Sequence, residues 1–157
     1  MGFEMQFRCC MVVSLYTNLV FARGRGMSNA NKKVVREAYT AISGGDAEGF
    51  FDRLSDDVEW YFIGSHRFSG TMKGKEQIVN DLFNVLGDQL EGTGISLEIK
   101  QLIAEGDKVV AEMQGTSRSV SGKDYNNTYN IILTVKDGLI TEMREYLDTE
   151  LITEVFG

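Results

Sequence analysis

The chain of 157 residues contains no proline. Its turns must therefore rest on glycine, asparagine and aspartate, and the 17 glycines are enough for that. It has two cysteines, Cys9 and Cys10. Being adjacent, they cannot staple distant segments, and they are too few for a zinc centre. The single histidine, His66, speaks against a histidine-based metal site, so no metal is expected. No run of 18 apolar residues occurs, so no membrane-spanning helix is expected. Positive charge is also short. The formal net charge is -7, and setting aside residues 1–26 removes Arg8, Arg23 and Arg25 against Glu4 alone, leaving the rest more acidic still. An acidic chain without a basic stripe repels a phosphate backbone, so nucleic acid is not an expected partner.

What is present reads as one ordinary globular domain, with 43% hydrophobic and 25% charged residues. The first 26 residues differ in character. Cys9 to Ala22 is mostly apolar, and Val20-Phe21-Ala22 has the small-residue look of a cleavage site. A secretory signal is one reading. An over-extended start, with translation beginning at Met27, is the other. Both place the domain at 27–157. The second implies a cytoplasmic protein and the first an exported one.

Asn31 to Ser43 has helical periodicity, with Val35, Ala38 and Ile42 on one side, and Gly44-Gly45 ends it. Asp46 caps a second expected helix, Ala47 to Leu54, and Ser55 to Asp57 reads as a turn. "VEWYFIG" is a strand, apolar on both faces apart from Glu59. Gly64 to Gly74 reads as a loop and Lys75 to Leu86 as a third helix. Four strands come next, near Ile95–Ala104, Lys108–Ser119, Thr128–Val135 and Leu139–Leu147, joined by "EGD", "SGKD" and "KDG" hairpins. Thr149 to Phe156 closes the chain as a short helix. Helices on one face of a curved antiparallel sheet make an α+β fold, and the wrapped sheet leaves a conical pocket.

Along "GLITEMREYL" strand alternation puts Met143, Glu145 and Leu147 on one face, and Arg144 and Tyr146 on the other. In an apolar pocket a carboxyl resists ionising, and a raised pKa suits it to general acid or base work near neutral pH. A register slip of one residue would instead leave Glu145 in water. Trp60 and Tyr61 are neighbours in a strand, so one of them faces the pocket. Tyr129 shares a face with Ile131 and Leu133. Met113 is a further candidate for the pocket wall. Arg144 is expected to pair with Glu142 or Glu112 on the outer face, or to orient an anionic group if the register slips. Asp148 reads as the cap of the last helix. His66, in "GSHRFSG", is either an exposed loop histidine or a proton shuttle at the mouth. No partner at a defined spacing activates Ser65 or Ser69 as a nucleophile. "GDAEG" and "GTMKG" lack the spacing of a phosphate loop.

"AISGGDAEGFFDRLSDDVEWYFIGSHRFSGTMKGKEQI" resembles the front half of the nuclear transport factor 2-like superfamily. "GDKVVAEMQGTSRSVSGKDYNNTYNIILTVKDGLITEMREYLDT" resembles the back half, in its SnoaL-like, ketosteroid isomerase-related branch. The resemblance covers residues 30–157. It implies a cone of curved antiparallel or mixed sheet around three N-terminal helices, the cystatin-like architecture. It also implies a homodimer through the outer sheet face and a small apolar organic ligand, without a cofactor. The ketosteroid isomerase catalytic set does not carry over. Its base falls on Trp60 or Tyr61, its oxyanion tyrosine on Ala38 with Tyr39 one step off and pointing elsewhere, and its oxyanion aspartate on Asn130 or Ile131. The Asp-Arg-Asp relay of epoxide hydrolases finds no match. The expected activity is therefore isomerisation, cyclisation or dehydration by acid/base chemistry, with Glu145 as the acid/base and Tyr61, Tyr129 and His66 orienting the substrate. The alternative is a binding or interaction module of the same fold.

Overall fold

The computed structural model of the chain describes residues 26–157. The expected leader or over-extended start, up to residue 25, lies outside the described residues. Helix α1 covers 26–43, running back past Asn31. Gly45, at φ 83°, takes the left-handed conformation that turns the chain after it. Asp46 then accepts a hydrogen bond from Gly49 N (2.8 Å) and caps α2, Ala47–Phe51.

Strand β1 spans Leu54–Phe62. Leu54 and the expected turn Ser55–Asp57 are thus the start of the strand. Leu54 is held by pairing across to Ile140, with a bulge before Glu59, and Asp56 and Asp57 project into solvent. Strand β2, Gly70–Lys73, lies inside the expected loop. Its four residues bury only Met72 and carry no alternation to read, but β1 offers a free edge and they pair with it.

The third helix runs longer than expected and is not uniform. α3 is Gly74–Ile78, a π turn covers Val79–Phe83, and α4 is Asn84–Gln89. The extra residue in such a turn rotates the next helical segment about the axis. Strands β3 (Ser96–Glu105), β4 (Lys108–Thr116), β5 (Thr128–Lys136) and β6 (Leu139–Leu147) come next, then α5 (Thr149–Phe156). The expected "SGKD" hairpin is in fact the long connection 117–127, pinned by bridges Leu90↔Ser119 and Arg118↔Asp124.

The six strands form one sheet in the order β2-β1-β6-β5-β4-β3. β1 and β6 are parallel and every other pair is antiparallel. The fold is a mixed α+β cone: a curved sheet with helices on its concave side. Val35, Phe50, Ile78, Met113, Ile131, Leu133 and Met143 sit at the centre of the core.

One irregularity in β6 sets its inner face. Thr134 pairs with Glu142, but Val135 pairs with Ile140, so Thr141 is an extra residue in the strand. Ile140 is buried on one side of that bulge and Met143 on the other, with Glu142 outside. A bulge of one residue re-aims the rest of the strand. Beyond it Met143 and Glu145 are buried and face the concave side, and Leu147 joins Glu145 on the cavity wall.

Candidate active site

The cone encloses a cavity of about 310 Å³. Its wall is mostly apolar. Ile42, Phe83 and Leu86 line it from the helices, Ile95 and Leu97 from the entry and start of β3, while Phe50, Trp60, Phe62 and Phe68 form an aromatic side. Trp60 stacks on Phe62 (5.1 Å, 20°) and leans on Phe50 (6.1 Å). Such contacts fix the Trp60 indole and leave its N–H needing a partner.

That partner is Glu145. Trp60 Nε1 donates to Glu145 Oε2 at 3.0 Å. Glu145 lies on β6 opposite Ile131 of β5 and Phe62 of β1, and is 4% exposed. No Lys, Arg or His lines the cavity among the described residues. Burial without a cation penalises the carboxylate, and the Trp60 hydrogen bond offsets only part of that. The Glu145 pKa is pushed up to about 8. At neutral pH the group is therefore mostly a carboxylic acid.

Three tyrosines share this interior. Tyr39, on α1, is 2% exposed, and its hydroxyl has only Met143 Sδ within reach among the described residues, at 3.8 Å. Tyr125 receives a hydrogen bond from Asn127 Nδ2 at 3.4 Å. Tyr129 Oη is buried without a hydrogen-bond partner among the described residues. The Tyr125 phenol is near enough to influence its titration, but the two oxygens are outside good hydrogen-bond geometry. Burial raises all three phenols above their ordinary range, and Glu145 adds a smaller push the same way.

Asn127 holds this corner together. It is 1% exposed, gives a hydrogen bond to Asp148 O (3.0 Å) and takes one from Asp148 N (3.0 Å). It thereby ties the start of β5 to the junction of β6 and α5. Gly115 is the other local requirement. A Cβ there would lie 2.6 Å from Tyr129 Cε2, so the Tyr129 ring rests against bare β4 backbone.

The cavity gathers Glu145, Trp60, Met113, Tyr129, Ile131 and Leu147. Four expectations need correction. Tyr61 points outward, because Trp60 takes the inner side and neighbours in a strand alternate; its ring lies under the Arg144 guanidinium (5.4 Å). His66 does not line the cavity. Its Nδ1 accepts from Phe68 N (3.2 Å) and its ring meets the edge of Phe68, which stands between it and the interior. Partial burial lowers its pKa. Met143 is 0% exposed, packed behind the cavity against the Tyr39 hydroxyl. Tyr39, expected to point elsewhere, is part of the wall. Arg144 pairs with Glu142 (3.3 Å) on the outer face, and Asp148 caps α5 by accepting from Glu150 N and Leu151 N.

Tyr125 went unrecognised because it reads as part of a hairpin. An aromatic residue inside the polar run "SGKDYNN" was the available signal.

Residues 35–143 match the family model described as the SnoaL-like domain. An uncharacterized protein of Mycobacterium tuberculosis is 26% identical over 131 residues, 82% of this chain and 96% of that one. Among solved structures, Bal32a from a soil-derived mobile gene cassette superposes with a TM-score of 0.74 at 22% identity, over 83% of this chain and 99% of its own. TerC, co-crystallized with polyporic acid, superposes with a TM-score of 0.68 at 26% identity, over 80% and 97%. Nuclear transport factor 2-like and cystatin-like structures share the fold.

Proposed function

Because the chain belongs to the SnoaL-like domain family, we propose that its cone binds a small, mainly apolar organic molecule and moves a proton on it without metal or nucleotide. Glu145 is the acid/base. One observation carries this reading: a carboxyl buried in an otherwise apolar cavity, held by the Trp60 N–H and facing no cation among the described residues. A pKa of about 8 suits that task. The acid form gives its proton to the ligand, and the carboxylate so formed takes one back from a neighbouring atom. The proton shifts, the double bond moves with it, and Glu145 returns to its starting state. Tyr125 and Tyr129 supply hydroxyls that orient an oxygen-bearing group. TerC, a protein of similar fold co-crystallized with polyporic acid, supports a ligand-binding reading.

The test uses 2-tetralone, a neutral bicyclic ketone, in deuterated buffer at pH 7. The protein accelerates exchange of the hydrogens beside the carbonyl, and Glu145→Gln abolishes the acceleration. Exchange no faster than buffer, or unchanged in the variant, sinks the catalytic reading. Binding of the ketone without exchange would make the cone a ligand-binding module. A homodimer through the outer sheet face belongs to the same proposal. Half-buried Val110, Ile132 and Tyr146 lie there among charges, and light scattering on the full chain tests it.

A further inference from the structure

Most buried polar groups in a folded protein have a partner, and leaving one without is costly. Tyr129 breaks that rule. It is 5% exposed, lines the cavity and has a hydroxyl with no hydrogen bond among the described residues. Its ring cannot relax toward β4 without losing its seat, since it already lies against the bare Gly115 backbone. Tyr125 is its nearest polar neighbour and influences its titration, but makes no hydrogen bond of good geometry to it; the Tyr125 oxygen accepts from Asn127 Nδ2. The hydroxyl is thus buried and unpaired among the described residues, on a residue of the apolar cavity wall.

Its position relative to Glu145 is set by the sheet. Tyr129 pairs with Leu147, and Ile131 pairs with Glu145. Tyr129 and Glu145 are therefore diagonal neighbours on the concave face, with origins about 7–8 Å apart. Glu145 has one oxygen on Trp60 and the other without a partner among the described residues. Two residues with hydrogen-bonding groups thus line one apolar space, and no described cation accompanies either.

The geometry points to a ligand with two oxygen functions, one for Glu145 and one for Tyr129, set across a flat, uncharged frame of one or two rings. The frame size comes from the cavity. Its 310 Å³ equals the liquid volume of on the order of ten waters, room enough for a bicyclic frame. A wall whose described residues bring no cation disfavours carboxylate and phosphate ligands. A single-oxygen ligand would leave one of the two points unmet. This assignment rests on Glu145 being reachable from the cavity, but not on its turning a substrate over.

The test compares 2,6-dihydroxynaphthalene with 2-naphthol at pH 6.5, by calorimetry and by NMR shift changes, on the full chain. Both probes are neutral there and share one ring frame. The diol binds roughly tenfold tighter to the native protein, the size of one well-made buried hydrogen bond. In Tyr129→Phe that advantage disappears. The free Tyr129→Phe protein unfolds at the same or a higher urea midpoint, because an unpaired hydroxyl has been removed. Three results overturn the assignment: equal affinities in the native protein, an advantage that survives Tyr129→Phe, or a drop in stability that marks the hydroxyl as structural. Failure of both probes to bind does so too. The 2-tetralone exchange experiment separates this from the catalytic reading. Glu145-dependent exchange with no diol advantage removes the two-oxygen ligand alone. A Tyr129-dependent diol advantage without exchange keeps it and removes the catalysis.

Discussion

Glu142 and Glu145 are three residues apart on one strand and titrate in opposite directions. Glu142 lies on the outer face. Its Oε2 accepts from Thr134 Oγ1 (2.9 Å), and Lys108 and Arg144 stand beside it. The Thr134 hydrogen bond, and then Lys108, lower its pKa. Glu145 lies inside, with one indole N–H and no cation among the described residues, and its pKa is pushed up to about 8. The residue type is the same and so is the strand. The face decides, because water and cations reach one carboxyl and not the other. One extra residue at Thr141 decides the face.

The largest expected effect breaks this contrast directly. A carboxyl whose folded pKa lies above its unfolded value holds a proton that the unfolded chain has already released. Stability therefore falls as pH rises from about 4.5, the ordinary value, toward about 8, and then levels. The full shift corresponds to roughly 4–5 kcal/mol. Urea unfolding at pH 5 and pH 9 should show the native protein losing much of that amount. Glu145→Gln should show a nearly flat profile and be the more stable of the two at pH 9.

Next in size is Gly115→Ala. The new Cβ meets the Tyr129 ring, and the ring must shift in a packed wall. A loss of about 1–3 kcal/mol is expected, read as a lower thermal midpoint. A variant as stable as the native protein would mean that the Tyr129 ring has room to move.

Trp60→Phe sharpens the contrast from inside. It removes the one donor to Glu145 among the described residues and keeps an aromatic ring in place. The Glu145 pKa should climb further above about 8, as read by carbon-detected NMR of its carboxyl. A fall would show that water enters when the indole leaves.

The smallest effect is on the outer face. Glu142 favours folding above the ordinary carboxylate pKa, and that contribution fades as pH drops through its lowered folded value. The site is solvent-exposed and screened, so Glu142→Gln should cost no more than ~0.5 kcal/mol at pH 7. A larger loss by urea unfolding would make the Lys108, Thr134 and Glu142 network a structural element and not a surface decoration.

Much of this was legible in the residues. β6 and α5 run over the spans that periodicity predicts, and Asp148 caps α5 as an aspartate before a helix should. Met143, Glu145 and Leu147 share a face because strand alternation requires it. Other parts were not legible. β2 has no pattern of its own and exists because β1 has an open edge. Tyr125 is in a polar loop that tertiary contacts, among them the bridges at Ser119 and Asp124, fold back over the cone. Tyr61 and Trp60 are equally aromatic, and nothing local says which of them faces inward.

The sequence by itself determined the α+β class, the family, the strand that carries Glu145 and the side chains that travel with it. Those come from local periodicity and from motifs that need no partner. Tertiary structure alone decided that this face is the inner one, that Trp60 rather than Tyr61 meets the carboxyl, and that Tyr39, Tyr125 and Tyr129 surround it. Strand register is a property of two strands, and a bulge in one can reverse it. A pKa is set by everything that displaces water around a group, and in this cone those residues come from segments as far apart in the chain as α1 and β6.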